Sequence, residues 1–233
     1  MAIDPAKVKA FWDSRARKLG DVRLESIANL EEDPANLELK IRLETEKVFK
    51  YLGPVDGRTV VDVGAGVGQW SLRFLERGAS HVTAVEYSAD LARIGREACE
   101  RRGRHNVDFV VSPAEEFRSD AKFDVVFVSG LFVYLNDDQA EKVASIIAVL
   151  CHSDSTILLR DGTAVRDRYE INDRQSQHLK AMYSATYRTR QEYLDIFFRF
   201  GLRLSRDENM FDEDSPLNKF PETRLRVYQF QAG

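Results

Sequence analysis

Residues Val60–Gln69 read VVDVGAGVGQ, an apolar strand that runs into three glycines at alternate positions behind an aspartate. Gly64, Gly66 and Gly68 allow the backbone to turn tightly at the carboxyl end of a strand and bring a ligand close to bare peptide groups. The stretch therefore predicts a loop that binds a nucleotide-type ligand.

The same loop argues against a pyrophosphate ligand. A dinucleotide fingerprint reads GxGxxG, but the third position after Gly66 is Gln69, and no Lys-Ser/Thr pair follows to make a P-loop. Asp62 precedes the glycines at the strand end, where its carboxylate attracts a cationic group. Its alternative role is to cap the next helix through backbone amides. The pattern favours a ligand that contains a zwitterionic amino acid.

The composition is that of an ordinary globular protein. The chain has 233 residues, of which 43% are hydrophobic and 31% are charged. A net charge of -4 gives no global field for a polyanion, which argues against a dedicated duplex-binding protein. Cys99 and Cys151 have neither CxxC nor CxxH spacing, so we expect neither a structural zinc nor a disulfide framework.

Hydropathy gives no membrane signal. No apolar run is long enough to span a bilayer, and the start, MAIDPAKVKAFWDS, lacks the apolar core of a signal peptide. We therefore expect no membrane insertion and a cytoplasmic location.

Strands and helices alternate from Thr59 onward, which predicts a parallel sheet with helices on both faces. Two earlier helices, Pro5–Leu19 and one from Pro34 to a stop near Gly53, form a predicted N-terminal helical cap over residues 1–54. The core then covers residues 55–233. Its predicted strands are Thr59–Val63, His81–Glu86, Val107–Val111, Phe123–Ser129, Thr156–Arg160, Leu202–Arg206 and Leu225–Gln231. Its predicted helices run from Gln69 to about Arg77 and over Ala89–Arg102, Asn136–Leu150 and Thr189–Phe200.

Residues 162–188 break this alternation. They are polar and rich in arginine and tyrosine, without clear strand periodicity, and we predict an insertion that covers the substrate.

The motif DVGAGVG, Asp62–Gly68, resembles the first motif of class I S-adenosylmethionine (SAM)-dependent methyltransferases, D/E-x-G-x-G-x-G. The resemblance runs from about Glu44 to the C-terminus and is strongest over Val60–Leu135. It implies a Rossmann-like three-layer α/β sandwich, with a seven-stranded, mostly parallel sheet and a C-terminal antiparallel strand. It also implies SAM as cofactor and S-adenosylhomocysteine (SAH) as product. Dehydrogenase sheets lack the antiparallel ending, which weighs against an NAD-dependent enzyme.

An acid at the end of the second strand, Glu86, can accept hydrogen bonds from both ribose hydroxyls. The resemblance assigns the adenine amino group to Glu115 and a backbone contact to Ala114; alternatively, Ser112 and Glu115 simply cap a short helix. The other predicted cofactor contacts are Gly64, Ala65, Gly66, Gly68, Tyr87, Ser129, Gly130 and Leu131, with Trp12 and Arg17 from the first helix.

The first helix resembles a lid over the cofactor. Phe11 or Trp12 would cover the sulfonium through a cation–π contact, and Arg15 or Arg17 would pair with the methionine carboxylate. The alternative is an amphipathic helix that packs its aromatic residues on the core.

Methyl transfer is an in-line displacement, so the nucleophile must be aligned and water excluded. An alcohol also needs a base, and Asp161 and His178 are the candidates by their position near the carboxyl edge of the sheet or in the insertion. The predicted substrate contacts are Tyr134, Arg160, Tyr183, Tyr187 and Arg188. The arginine excess of the insertion suggests an anionic acceptor, although such charges also occur on solvated faces.

The sequence thus predicts methylation of a small molecule or glycan, at oxygen. The alternatives are an N-methyltransferase of a small amine or amino sugar, and a non-catalytic SAM-binding module. No base-modifying motif follows the fourth strand, so we expect no nucleic-acid substrate. Ser129 stands where a metal-dependent enzyme needs an acid, so we expect no catalytic metal.

Overall fold

A computed structural model describes residues 2–18, 24–29, 31, 33–176 and 181–233. Three helices precede the sheet: α1 (Pro5–Lys18), α2 (Leu24–Ala28) and α3 (Pro34–Leu52). Helix α3 begins where the Asp33 side chain accepts a hydrogen bond from the Asn36 amide at 2.8 Å, and it ends at Gly53, whose φ is 67°. The sequence did not predict α2.

The rest of the chain alternates as expected. In order, the elements are β1 (Thr59–Val63), α4 (Gln69–Glu76), β2 (His81–Glu86), α5 (Ala89–Arg101), β3 (Val107–Val111), β4 (Phe123–Ser129), α6 (Asp137–Leu150), β5 (Cys151–Ala164), β6 (Tyr169–Ser176), β7 (Ala181–Thr189), α7 (Arg190–Phe198), β8 (Leu202–Asn209) and β9 (Thr223–Ala232). Single 3-10 turns lie at Ala114–Glu116 and Phe132–Tyr134.

Seven strands form the main sheet in the order β3-β2-β1-β4-β5-β9-β8. The first five are parallel, and β9 lies antiparallel between β5 and β8. This confirms the predicted Rossmann-like sheet with its antiparallel ending.

Residues 162–188 differ from the prediction because they contain strands. The end of β5 pairs with β9 as far as Ala164, and β6 and β7 form an antiparallel pair. This pair joins β5 through Thr163 and Ala164. Residues of β6 are half-buried or exposed, so the strand is held by its backbone ladder and lacks the apolar alternation that sequence reasoning needs.

The two faces of the sheet pack against different helices. Val61, Val126 and Leu159 belong to the cluster on the side of α6 and α7. Val60 and Leu158 pack on the side of α3 and α4. Because side chains alternate along a strand, consecutive residues at the end of β5 must point to opposite sides of the sheet.

Arg188 has a structural role, contrary to its predicted contact with substrate. Its side chain is fully buried and donates to the carbonyls of Phe132 and Leu135, each at 2.8 Å, and to Asp137 at 2.7 Å. The guanidinium therefore fastens β7 to the turn after β4, and Arg188 is not itself among the residues that line the cavity described below.

Replacing Arg188 with Met should lower the free energy of unfolding by about 3 kcal/mol, because two buried carbonyls lose their donor. Urea unfolding followed by circular dichroism measures the change. Arg199→Met is the matched control, since Arg199 is exposed and its pair with Glu141 contributes less than about 1 kcal/mol. Equal losses for both variants would contradict the role of Arg188.

Candidate functional site

A cavity of about 550 Å³ opens at the carboxyl edge of the parallel strands. It is lined by the ends of β1, β2, β4 and β5, by the turn after β3, by α1 and α3, and by the segment between β8 and β9. Its volume lies within the range of about 300–1,000 Å³ that is typical of small-molecule sites.

The glycines of the loop after β1 have two different roles, one toward the cavity and one in packing. Gly64, Gly66 and Gly68 have φ values of 79°, 56° and 68°. A Cβ on Gly66 would meet nothing within 4 Å, and Gly66 lines the cavity. A Cβ on Gly68 would lie 2.6 Å from the Phe109 ring. Gly64, Ala65 and Gly66 therefore face the ligand space, whereas Gly68 allows close packing behind it.

Glu86 is buried beneath this loop and lines the cavity. One carboxylate oxygen accepts from the Gly66 amide and the other from the Ser88 amide, each at 2.8 Å. Burial raises the pKa of Glu86 to about 7, against these two hydrogen bonds. A carboxylate has further lone pairs, so Glu86 can still accept from a ligand.

Asp62 lies behind the loop and is not among the residues that line the cavity. Its side chain is 1% exposed and accepts a hydrogen bond from the Ser71 hydroxyl at 2.7 Å. Burial raises its pKa to about 6. The geometry matches the capping alternative, in which Asp62 joins β1 to α4 and so positions the loop.

The remaining predicted contacts on this side line the cavity, namely Tyr87, Ala114, Glu115, Ser129, Gly130 and Leu131. The Glu115 carboxylate accepts from Gln139 Nε2 at 2.7 Å, a partner that the sequence did not indicate. The turn after β3 is therefore held against α6.

The first helix supplies Trp12 but not Arg17. Trp12 lines the cavity, and its ring centroid is 5.5 Å from that of Tyr134 in a T-shaped contact. Arg17 is 74% exposed in its side chain and lies 3.6 Å from Asp90. Its predicted contact with a carboxylate in the cavity is contradicted by this position.

Within the described part of the chain, three residues that line the cavity carry buried polar atoms without a hydrogen-bond partner: Gln69 Oε1, Tyr87 Oη and Arg160 Nε. Buried polar groups are normally paired, and an unpaired one costs about 1–3 kcal/mol. A ligand with several donors and acceptors, such as a nucleoside joined to an amino acid, fits these atoms. Sequence reasoning used Gln69 only for its spacing and missed this acceptor.

Asp161 lies at the end of β5 and lines the cavity with no exposed surface. Its carboxylate accepts from the Phe132 amide at 2.7 Å and the Gly162 amide at 2.8 Å. Burial raises the pKa of Asp161 to about 6. The carboxylate is thus held rigidly and remains ionised at neutral pH.

Three tyrosines line the cavity next to this acid. The hydroxyl of Tyr183 lies 3.3 Å from those of Tyr134 and Tyr187. Burial raises the pKa of Tyr183 and Tyr187 far above the usual range, so both stay neutral. The other predicted base, His178, lies outside the described residues.

The described residues contain no candidate metal centre and no candidate membrane span. Within them, no three His, Cys, Asp or Glu side chains gather closely enough to hold a metal ion. None of the helices described there is long and apolar enough to cross a membrane.

Comparison with known proteins gives a match over part of the chain. Residues 60–153 match the family model described as "Methyltransferase domain". This part of the chain is therefore similar to a methyltransferase domain. This domain covers β1 to the start of β5, which includes the glycine loop, Glu86 and the turn with Glu115.

Individual relatives match part of the sequence of this chain, and solved structures match its fold. Phosphoethanolamine N-methyltransferase 1 of Triticum aestivum is 27% identical over 156 residues, which cover 66% of this chain and 30% of that protein. The chain spans well under half the length of the curated relatives it matches.

Two solved structures share the fold of this chain. The 1,6-didemethyltoxoflavin-N1-methyltransferase of Burkholderia thailandensis, with SAH bound, superposes with a TM-score of 0.70 at 18% identity, covering 100% of this chain and 92% of that one. Magnesium protoporphyrin IX methyltransferase of Synechocystis PCC 6803, with SAM bound, gives 0.69 at 16% identity, covering 100% and 99%.

The two glycines of the loop should respond differently to a methyl group. Gly66→Ala should cost about 1 kcal/mol of stability, from the positive φ alone. Gly68→Ala should cost about 1–3 kcal/mol more, because the new Cβ collides with Phe109. Thermal unfolding of the two variants, made in parallel, measures the difference, and equal losses would contradict the assignment of Gly68 to packing.

Proposed function

We propose that this chain is a SAM-dependent methyltransferase that acts on a small-molecule acceptor, a glycan included, and transfers the methyl group to oxygen. One observation carries the proposal: the glycine loop, Glu86 and the unpaired Gln69 and Tyr87 atoms share one cavity with the buried carboxylate of Asp161. The family match and the shared fold support it.

The cofactor residues are proposed from their places along the cavity. Glu86 would hold the ribose hydroxyls, while Ala114 and Glu115 would hold the adenine. The loop would pass under the methionine, with Gln69 Oε1 accepting from its ammonium group. Trp12 would cover the sulfonium, an arrangement worth about 0.5–2 kcal/mol. When bound, SAM supplies an electrophilic methyl group on sulfur.

The ionisation of Glu86 should make cofactor binding depend on pH. Its pKa of about 7 means that the carboxylate becomes protonated below neutral pH and then accepts fewer hydrogen bonds. SAM affinity should therefore fall about tenfold for each pH unit below about 7 and level off above it. Isothermal titration across this range measures the profile.

Glu116→Gln is the control for this profile, since Glu116 is the exposed neighbour of Glu115 and should leave it unchanged. Glu86→Gln should weaken SAM binding and flatten the profile. A wild-type affinity that stays constant on both sides of neutral pH would remove Glu86 from the ribose contact.

The same titration separates the alternative functions. SAM binding followed by a mass gain of one methylene on an acceptor supports the enzyme. Binding without turnover on any acceptor supports the non-catalytic module. NADH binding without SAM affinity supports an oxidoreductase and would contradict the proposal.

Asp161 is proposed as the base. The Asp161 carboxylate would take the proton of an acceptor hydroxyl, and bound SAM would supply the methyl group that the acceptor oxygen receives. The amides of Phe132 and Gly162 fix the direction of the carboxylate. Tyr134 and Trp12 line the same cavity in contact with each other, and their rings would help to exclude water from it.

A nitrogen acceptor is the second candidate, and the setting of Asp161 favours it specifically. A buried carboxylate beside neutral tyrosines would also attract an amine. The relative from Triticum aestivum is named as an N-methyltransferase, which supports this alternative. The two candidates predict different origins for the pH dependence of the rate. For an oxygen acceptor it is the protonation of Asp161, whereas for a nitrogen acceptor it is the protonation of the amine, which must be neutral to react.

For an oxygen acceptor, kcat at saturating SAM should fall about tenfold for each pH unit below about 6, as Asp161 becomes protonated. Asp161→Asn should lower kcat by about 10²–10⁴ and keep SAM affinity within about twofold. The control is Asp154→Asn, at the exposed start of β5. If the pH below which kcat falls changes with the pKa of the acceptor used, the result would support a nitrogen acceptor instead.

A further inference from the structure

A basic corner of the cavity is formed by Lys40 and Glu44 of α3 and Arg160 of β5. We propose that this corner binds the anionic group, a carboxylate or a phosphate, of an acceptor with an apolar body. The inference rests on the proposed function and names the class of its substrate.

Arg160 is the centre of the corner. It is 8% exposed and lines the cavity. Nη1 donates to the Ser129 hydroxyl at 2.8 Å, and Nη2 donates to Glu44. Nε is buried without a partner. A guanidinium offers five N–H donors in one plane, which suits a carboxylate or phosphate.

Lys40 is the second cation and lies one helical turn before Glu44. It lines the cavity, and its Nζ is 3.9 Å from the Glu44 carboxylate that Arg160 also uses. Burial lowers the pKa of Lys40; the charge of Glu44 opposes this shift and that of Arg160 adds to it. The other acid near Lys40, Glu31, is paired with Lys219 at 2.6 Å.

Two cations therefore share one carboxylate in a desolvated place. A buried charge without a full counter-charge is costly, and a ligand that brings the missing negative charge recovers this cost. The interaction is strong because the corner is largely removed from water.

The other cations near the cavity already have partners. Lys9 pairs with Asp13 at 2.8 Å, and Arg224 pairs with Glu213 at 3.0 Å. In the segment whose arginines first suggested an anionic acceptor, Arg168 and Arg188 both bind Asp137. The anionic group is therefore assigned to Lys40 and Arg160.

Apolar side chains continue the cavity beyond this corner. Phe211, Leu217 and Phe220, from the segment between β8 and β9, line it, and Phe220 is 56% exposed. An exposed aromatic ring beside a cationic corner is suited to the body of an amphipathic acid.

The distance between the anionic group and the reacting atom follows from the strand. Arg160 bonds to Glu44 on the α3 side, whereas Asp161 bonds to the Phe132 amide on the opposite side. Since consecutive residues of a strand point to opposite faces, the two ends of the acceptor would straddle β5. The acceptor is therefore an acid whose nucleophile and anionic group lie at opposite ends of the molecule.

Fluorescence titration tests this on protein saturated with SAH, so that the cofactor's own carboxylate already occupies its place. The probe is 2-naphthoate, and the neutral analogue is 2-naphthalenemethanol. We expect the acid to bind wild-type protein at least about tenfold more tightly than the alcohol.

The variants should change this affinity in opposite directions. Lys40→Met should weaken 2-naphthoate about tenfold, whereas Glu44→Gln, which removes the competing carboxylate, should strengthen it severalfold. A merely structural role would weaken both. Arg42→Met, on the exposed side of α3, is the control and should change nothing. Thermal melting verifies that each variant folds.

Equal binding of acid and alcohol would overturn the proposal. So would a Lys40→Met variant that loses SAH affinity but keeps its 2-naphthoate affinity, because the corner would then serve the cofactor. Absence of SAH binding to wild-type protein is a different failure, that of the proposed function. The same probe titrated without SAH would still report on the corner.

Discussion

The burial of the Glu86 carboxylate under the glycine loop is the constraint on which the site depends. Its two oxygens hold the amides of Gly66 and Ser88, so one side chain fixes the loop after β1 and the start of α5. The carboxylate loses solvation in return, which raises its pKa to about 7. Asp62 also loses solvation, which raises its pKa, and it accepts a hydrogen bond from the Ser71 hydroxyl. Two acids at neighbouring strand ends thus keep the loop open for a ligand.

The parallel sheet then decides what else can reach that loop. All five parallel strands end at one edge, so residues distant in the chain meet there without any local sequence signal. Antiparallel β9 extends the edge beyond β5 and brings the segment before it, with Phe211 and Phe220, to the cavity. The residues proposed to hold the cofactor lie at or after parallel strand ends, whereas the antiparallel addition brings further apolar residues to the part of the cavity proposed for the acceptor.

Sequence patterns predicted the parts of the fold that depend on local chemistry. The bounds of β1, β2, β3 and β4 were exact, because apolar residues between turn signals define buried strands. The pair β6 and β7 was missed because its ladder is satisfied by backbone groups under polar side chains. Gly64 and Gly66 of the glycine loop and Glu86, which the sequence singled out, lie together at the cavity. Arg188 could not be assigned, since only the tertiary structure reveals that its partners are carbonyls.

The sequence likewise contained no signal for the role of Lys40, because that role depends on tertiary contacts. On α3 it reads as one of several charged residues on an amphipathic helix, and its meaning arises only where β5 brings Arg160 against the same carboxylate. Charge excess along the sequence pointed to residues 162–188, yet the arginines there that bind Asp137 are neutralised locally. What matters for a ligand is the charge that remains after internal pairing in a desolvated place, and this quantity belongs to the fold. The single negative charge of Glu44 would balance one cation, but it cannot fully balance both Lys40 and Arg160. The positive charge that remains is therefore what favours an anionic group on the acceptor.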